Sequence, residues 1–140
     1  MRQSDLNLFR DSLTRVTARD GFFDAFYDHF MAQSEEIAAI FHHRDMAQLK
    51  QKLRSTLEMV AQTAEGQPGI VIYLEMLGRT HQRLQIERRH FDMWQAALLD
   101  TVAGFDEAYS DRIGAAWSQV IGSVIESIFS ALDPSHKLAS

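Results

Sequence analysis

The chain of 140 residues has no cysteine, which removes disulfides, thiolate metal sites and cysteine nucleophiles together. It has only two prolines, Pro68 and Pro134, so almost nothing in it interrupts a helix. It also lacks a basic block: 14 Lys plus Arg stand against 19 Asp plus Glu, a formal net charge of −5. That balance excludes the electrostatic footprint of a nucleic-acid binder or of a protein lying on anionic membranes. Long apolar runs are absent too. The most continuous one, Ile70 to Leu74, meets Glu75 at once and is far too short to cross a bilayer. Met1-Arg2-Gln3-Ser4-Asp5 lacks the apolar core of a signal peptide. The expectation is a soluble, cytoplasmic protein, and the absence of cysteine is compatible with a reducing compartment. With 46% apolar and 24% charged residues, the composition is that of one globular domain over residues 1–140, neither disordered nor fibrous.

What is present is helical spacing almost everywhere, with no sustained alternation. Leu6, Phe9, Leu13 and Val16 form the apolar face of a first helix, with Ser4 or Asp5 as its cap. Arg19-Asp20-Gly21 breaks the pattern, and Asp20 is placed to cap a second, aromatic helix holding Phe22, Phe23, Phe26, Tyr27, Phe30 and Met31. Ser34-Glu35-Glu36 opens a short third helix with Ile37, Ile40 and Phe41. Asp45 caps a longer one striped by Met46, Leu49, Leu53, Leu57 and Val60. Glu65-Gly66-Gln67-Pro68-Gly69 is the strongest break. A helix with Ile70, Leu74, Leu77 and His81 follows and ends near Leu84. Then come a helix from Glu87 to Ala103, a loop from Gly104 to Tyr109, and a final helix from about Ser110 to Leu132. That last helix is apolar on a broad face. The fold class is therefore all-α, with about seven or eight helices.

His81 is the informative position. It follows Leu74 by seven residues and Leu77 by four, which puts it on the apolar face of its helix. One reading is a buried histidine bonded to a backbone carbonyl. The other is a nitrogen ligand projecting into a cleft, with Leu84 and Ile86 beyond it and an unusually aromatic segment in front. A flat apolar guest such as an iron porphyrin would use both features, with the second ring nitrogen oriented by an acceptor such as the Leu77 carbonyl.

At these residues the chain resembles the globin family over nearly its whole length. Leu77-Gly78-Arg79-Thr80-His81-Gln82-Arg83-Leu84-Gln85-Ile86 is similar to the globin proximal segment, which carries an apolar residue, a His and a later Ile. Phe26-Tyr27 and the later Phe41 resemble the distal Tyr and haem-clamping Phe of bacterial globins. Gln48-Leu49-Lys50-Gln51-Lys52-Leu53 is most similar to the distal helix of haem-based aerotaxis sensors, and Tyr27, Leu49 and His81 follow one another at close to their separations.

The resemblance implies globin packing around a haem pocket, with haem b (iron) as cofactor and His81 as the axial ligand. It implies that Tyr27 is a distal hydrogen-bond donor and that Phe41 stacks on the porphyrin. Leu49, Leu53, Leu57, Leu77, Leu84, Ile86 and Phe91 would line the pocket. Helical phase puts Leu49 where many globins carry His or Gln, unless the helix is shifted by one residue and Gln48 points inward. Lys52 sits at the rim, to pair with a propionate, reach inward or remain solvated. Each of these residues also has a plain reading as core or surface: Tyr27 bonded to a backbone acceptor, and Leu53, Leu57 and Phe41 packed without a guest. Phe91 and Trp94 are read as packing residues, because Phe91 lacks the hydroxyl that globins with an attached reductase often direct at the proximal histidine.

The remaining histidines point elsewhere. His42 and His43 read as exposed, His29 lies on the less apolar side, and His136 belongs to a polar tail. Glu87-x-x-His90 has the spacing of a di-iron carboxylate motif, but such a site needs two copies, so it is rejected. Met46, Met76 and Met93 read as core filler rather than a sixth iron ligand. The leading expectation is reversible binding of dioxygen or another diatomic gas through five-coordinate iron, for storage, delivery or sensing. The alternatives are nitric oxide dioxygenase activity with a separate reductase, and a haem-free, globin-shaped interaction module. A signalling partner or a homodimer through the Glu87–Ala103 and final helices would complete a sensor.

Overall fold

The computed structural model describes residues 2–42, 44–66, 75–76, 78–80 and 87–132, with side chains as far as Phe129. Its elements are α1 (Gln3–Thr17), α2 (Phe22–Ala32), α3 (Glu35–Phe41), α4 (Met46–Ala64), α5 (Arg88–Phe105) and α6 (Asp111–Leu132). There is no strand among the described residues, as the absence of alternation in the sequence requires. None of the described helices is long and apolar enough to cross a membrane. Of the expected helix bearing Leu77 and His81, residues 75–76 and 78–80 are helical, while Leu77, His81, Leu84 and Ile86, like His43 and His136, lie outside the described residues.

The apolar stripes converge on one core. Phe9, Val16, Phe22, Phe26, Leu98, Val102, Trp117 and Val120 are all completely buried. α2 packs most extensively on α5, and α1 on α6. Phe9 meets Trp117 edge-on at 4.7 Å between centroids, and Phe26 meets Trp94 edge-on at 5.9 Å. Both geometries suit the ring quadrupoles.

Local chemistry sets the helix ends, and several of them depart from the sequence reading. α1 starts at Gln3, ahead of Ser4, and its flanking residue Arg2 gives no side-chain cap. Asp5 instead sits in the first turn, where its charge favours the dipole. Gly21, not Asp20, precedes α2, with φ at +85°, a left-handed conformation that penalises any side chain. α5 begins at Arg88 and runs two residues beyond Ala103, through Gly104 to Phe105. The added turn follows from burial: Phe105 packs edge-on against Phe22 at 5.8 Å, and Arg19 lies 5.7 Å from its ring centroid. α6 runs from Asp111 to Leu132, in agreement with the expected span. The other caps match the sequence reading: Ser34 Oγ accepts from the Ile37 amide and Asp45 Oδ1 from the Ala47 amide.

A buried polar cluster ties the first helix to the α5–α6 corner. Ser12 Oγ donates to Asp106 Oδ2 at 2.6 Å and accepts from Trp117 Nε1 at 2.8 Å. Arg15 grips the same carboxylate through Nε and Nη2 at 2.7 and 2.9 Å, and the Ala108 amide adds 2.9 Å. With its side chain fully enclosed, Asp106 remains charged because the Arg15 hydrogen bonds outweigh burial and bring its carboxyl down to about 2.

A carboxyl lowered in the folded state stabilises the fold above its ordinary value near 4 and loses that contribution as pH falls through about 2. Asp106→Asn should therefore cost about 2–4 kcal/mol at neutral pH, because it removes the charge that Arg15 pairs with and puts an NH2 donor where one of the two acceptor oxygens stood. Urea unfolding of both proteins should show the difference shrinking between pH 4 and pH 2.

Candidate functional site: an apolar cavity walled by five helices

The core does not close completely. A cavity of about 200 Å³ lies between α2, α3, α4, α5 and α6. Phe30 comes from α2, Ile37, Ile40 and Phe41 from α3, and Thr56, Met59 and Val60 from α4. α5 contributes His90, Phe91 and Trp94, and α6 contributes Ile121, Val124, Ile125 and Ile128. Apart from Thr56 and His90, the described lining is entirely apolar. Large rings brace one another around it. Phe41 stands 5.6 Å from Phe30 and 5.9 Å from Tyr27, and Phe91 meets Phe129 edge-on at 5.4 Å.

The residues singled out in the sequence fall at distinct places. Phe41 and Phe91 form part of the cavity wall. Leu49, Leu53 and Leu57 are buried on the inner face of α4, and the wall on that helix is made by Thr56, Met59 and Val60. Leu49 faces inward and Gln48 is exposed, so the helix sits in the register that its apolar stripe requires. Lys52 is exposed, while its neighbour Lys50 pairs with Asp24 at 3.2 Å. His29 and His42 are exposed. His81, Leu77, Leu84 and Ile86 lie outside the described residues.

Tyr27 is buried, and its hydroxyl donates to the Leu49 carbonyl at 2.9 Å. Burial pushes its pKa up to about 12. The phenol therefore keeps its proton throughout the physiological range and can act as a donor, and its one proton is engaged by the backbone of α4.

His90 reaches the cavity in a role that Glu87-x-x-His90 spacing alone did not suggest. It is 4% exposed. Its Nδ1 accepts from the Glu87 amide at 2.8 Å, and its Nε2 lies 2.8 Å from Glu36 Oε1 on α3. Arg89 holds both oxygens of Glu36 at 2.8 Å. The hydrogen bonds from Arg89 and then His90 hold the Glu36 carboxyl down at about 2. The available signal was the three-residue spacing between a helix-flanking residue and a side chain able to reach back to its amide, as in a capping box.

The lining can be compared with what a haem would need. An apolar, aromatic-walled slot suits the face of a macrocycle. Both nitrogens of His90 are already engaged, so this histidine is not placed to ligate iron. Among the described residues no group of three His, Asp or Glu side chains could hold a bare metal ion. The described wall thus offers apolar contact to a flat guest and no free iron ligand of its own.

Comparison with known proteins agrees with this arrangement. The family model described as Globin matches residues 24–128. A crystal structure from Pseudomonas aeruginosa PAO1, of a protein described as structurally highly homologous to a human hemoglobin, is 35% identical. It superposes with a TM-score of 0.85 over 91% of this chain and 97% of that one. No curated protein matches the sequence. Globins as a family bind haem and, through it, diatomic gases. An all-α chain matched over most of its length, folded around an apolar cavity between these helices, belongs to the globin family.

Proposed function

We propose that the chain binds haem in this cavity, with His81 as the axial ligand, and reversibly binds dioxygen or another diatomic gas. The cavity carries the reading. About 200 Å³ in volume and partly open, it presents an apolar and aromatic lining, and a flat apolar guest would gain by removing that surface from water. Haem would supply the iron that takes the gas. The protein's own contributions are the apolar walls, the ring of Phe41 and a nitrogen from His81. Because His90 is occupied at both nitrogens, it does not compete for that role.

Tyr27 is the proposed distal donor. Its proton is shared in advance with the Leu49 carbonyl, so a bond to the gas replaces an existing bond. The net gain is then a difference between two hydrogen bonds, about 1 kcal/mol, or roughly a five- to tenfold change in dissociation. Storage, delivery or sensing is favoured over nitric oxide oxidation. Phe91 packs against Phe129 and has no hydroxyl to polarise a proximal histidine. Nitric oxide oxidation would in addition call for a separate reductase.

His81→Ala should abolish iron ligation, and unchanged visible spectra of the ferric and ferrous forms would remove His81 from the proposal. A colourless protein that takes up no haem would favour the interaction-module reading. Tyr27→Phe should speed oxygen dissociation by roughly five- to tenfold, measured by stopped flow. It should also cost about 1 kcal/mol of stability through the lost bond to Leu49. An unchanged rate beside a lowered stability would confine Tyr27 to the structural bond.

A further inference from the structure

The cavity wall contains one titratable side chain among the described residues, His90, and its hydrogen bonds fix its protonation state. The Glu87 amide is only a donor, so Nδ1, 2.8 Å away, must carry a lone pair. The ring proton therefore sits on Nε2 and is donated to Glu36 Oε1. In this form one imidazole performs two tasks. It satisfies the Glu87 amide at the start of α5, one of the helix's orphan donors, and it fastens α5 to α3 across the cavity rim.

We infer that His90 is a proton-sensitive latch on the cavity wall: neutral, it closes the α3–α5 rim, and a second proton releases the start of α5. A proton added at Nδ1 would face the Glu87 N–H, so two donors would oppose each other where a bond now exists. The charged groups placed against His90 soften this only in part. Glu36, from α3, would hold the cation more strongly through Nε2, but Arg89 already engages both its oxygens. Glu87 belongs to the same turn and is itself bonded to Arg89 at 2.9 Å. The cavity-lining residues of α2, α4 and α6 bring no charge, and the nearby Arg88 is paired with Glu126 on α6. Protonation thus breaks the Nδ1 bond and gains no new partner for the Glu87 amide. The inference does not depend on what fills the cavity.

The test is a pH titration of the protein as purified, followed by nitrogen-15 NMR of the imidazoles and by hydrogen exchange at the Glu87 amide, corrected for intrinsic rates. A haem-bearing sample would be studied in its diamagnetic ferrous carbon monoxide form. At pH 8, His90 should show a proton on Nε2 alone. As it takes up the second proton, protection at Glu87 should fall by roughly five- to tenfold. In His90→Gln, the amide can reach back to the Glu87 N–H as a capping-box glutamine but cannot titrate, so protection should stay flat with pH. Three results would each overturn the latch. Protection could persist after His90 is doubly protonated. His90 could remain singly protonated down to the pH at which the chain unfolds. The same fall could occur in His90→Gln. The wild-type titration decides the matter even if the variant does not fold.

Discussion

One apolar cavity between the described helices governs the rest of this structure. Large side chains on α3, α4, α5 and α6 point inward, yet aromatic residues brace one another before they meet in the middle. Protein interiors pack nearly as densely as crystals, and unfilled space forfeits dispersion contacts. An apolar guest would restore those contacts, and the chain belongs to a family whose members bind haem.

Directional bonds hold the helices at the required separation. The Ser12–Asp106–Arg15–Trp117 cluster fixes α1 against the α5–α6 corner. Tyr27 ties α2 to the backbone of α4, and His90 ties α5 to α3. None of the buried side-chain nitrogen or oxygen atoms among the described residues lacks a partner. Each tie satisfies groups that would be costly to bury alone, and each links helices far apart in sequence. Hydrophobic stripes alone would let these helices slide; the polar ties set their register.

Much of the architecture was legible in the residues. Leu6, Phe9, Leu13 and Val16 announce α1 by spacing, and Ser34 and Asp45 announce the starts of α3 and α4 by side-chain chemistry. Where the reading slipped, a tertiary contact prevailed over a local preference. Gly104 suggested an end to α5, but the packing of Phe105 on Phe22 carries the helix onward. Asp20 was a sound cap by composition, but the tight turn after α1 needs a positive φ at the flanking position, which only Gly21 accepts without strain.

The sequence by itself determined that the chain is helical, that its stripes must meet in one core, and that aromatic surface is concentrated in the first third. Periodicity and capping are local, so they can be read residue by residue. The tertiary structure decided which apolar residues bound the cavity and which merely pack. Leu53 and Val60 lie on one stripe of α4, yet only Val60 is in the wall. It also decided the employment of the polar groups: Tyr27 bonded to Leu49, and His90 turned from a motif candidate into a strut between α3 and α5. Those assignments depend on distances between residues tens of positions apart, which no local pattern encodes.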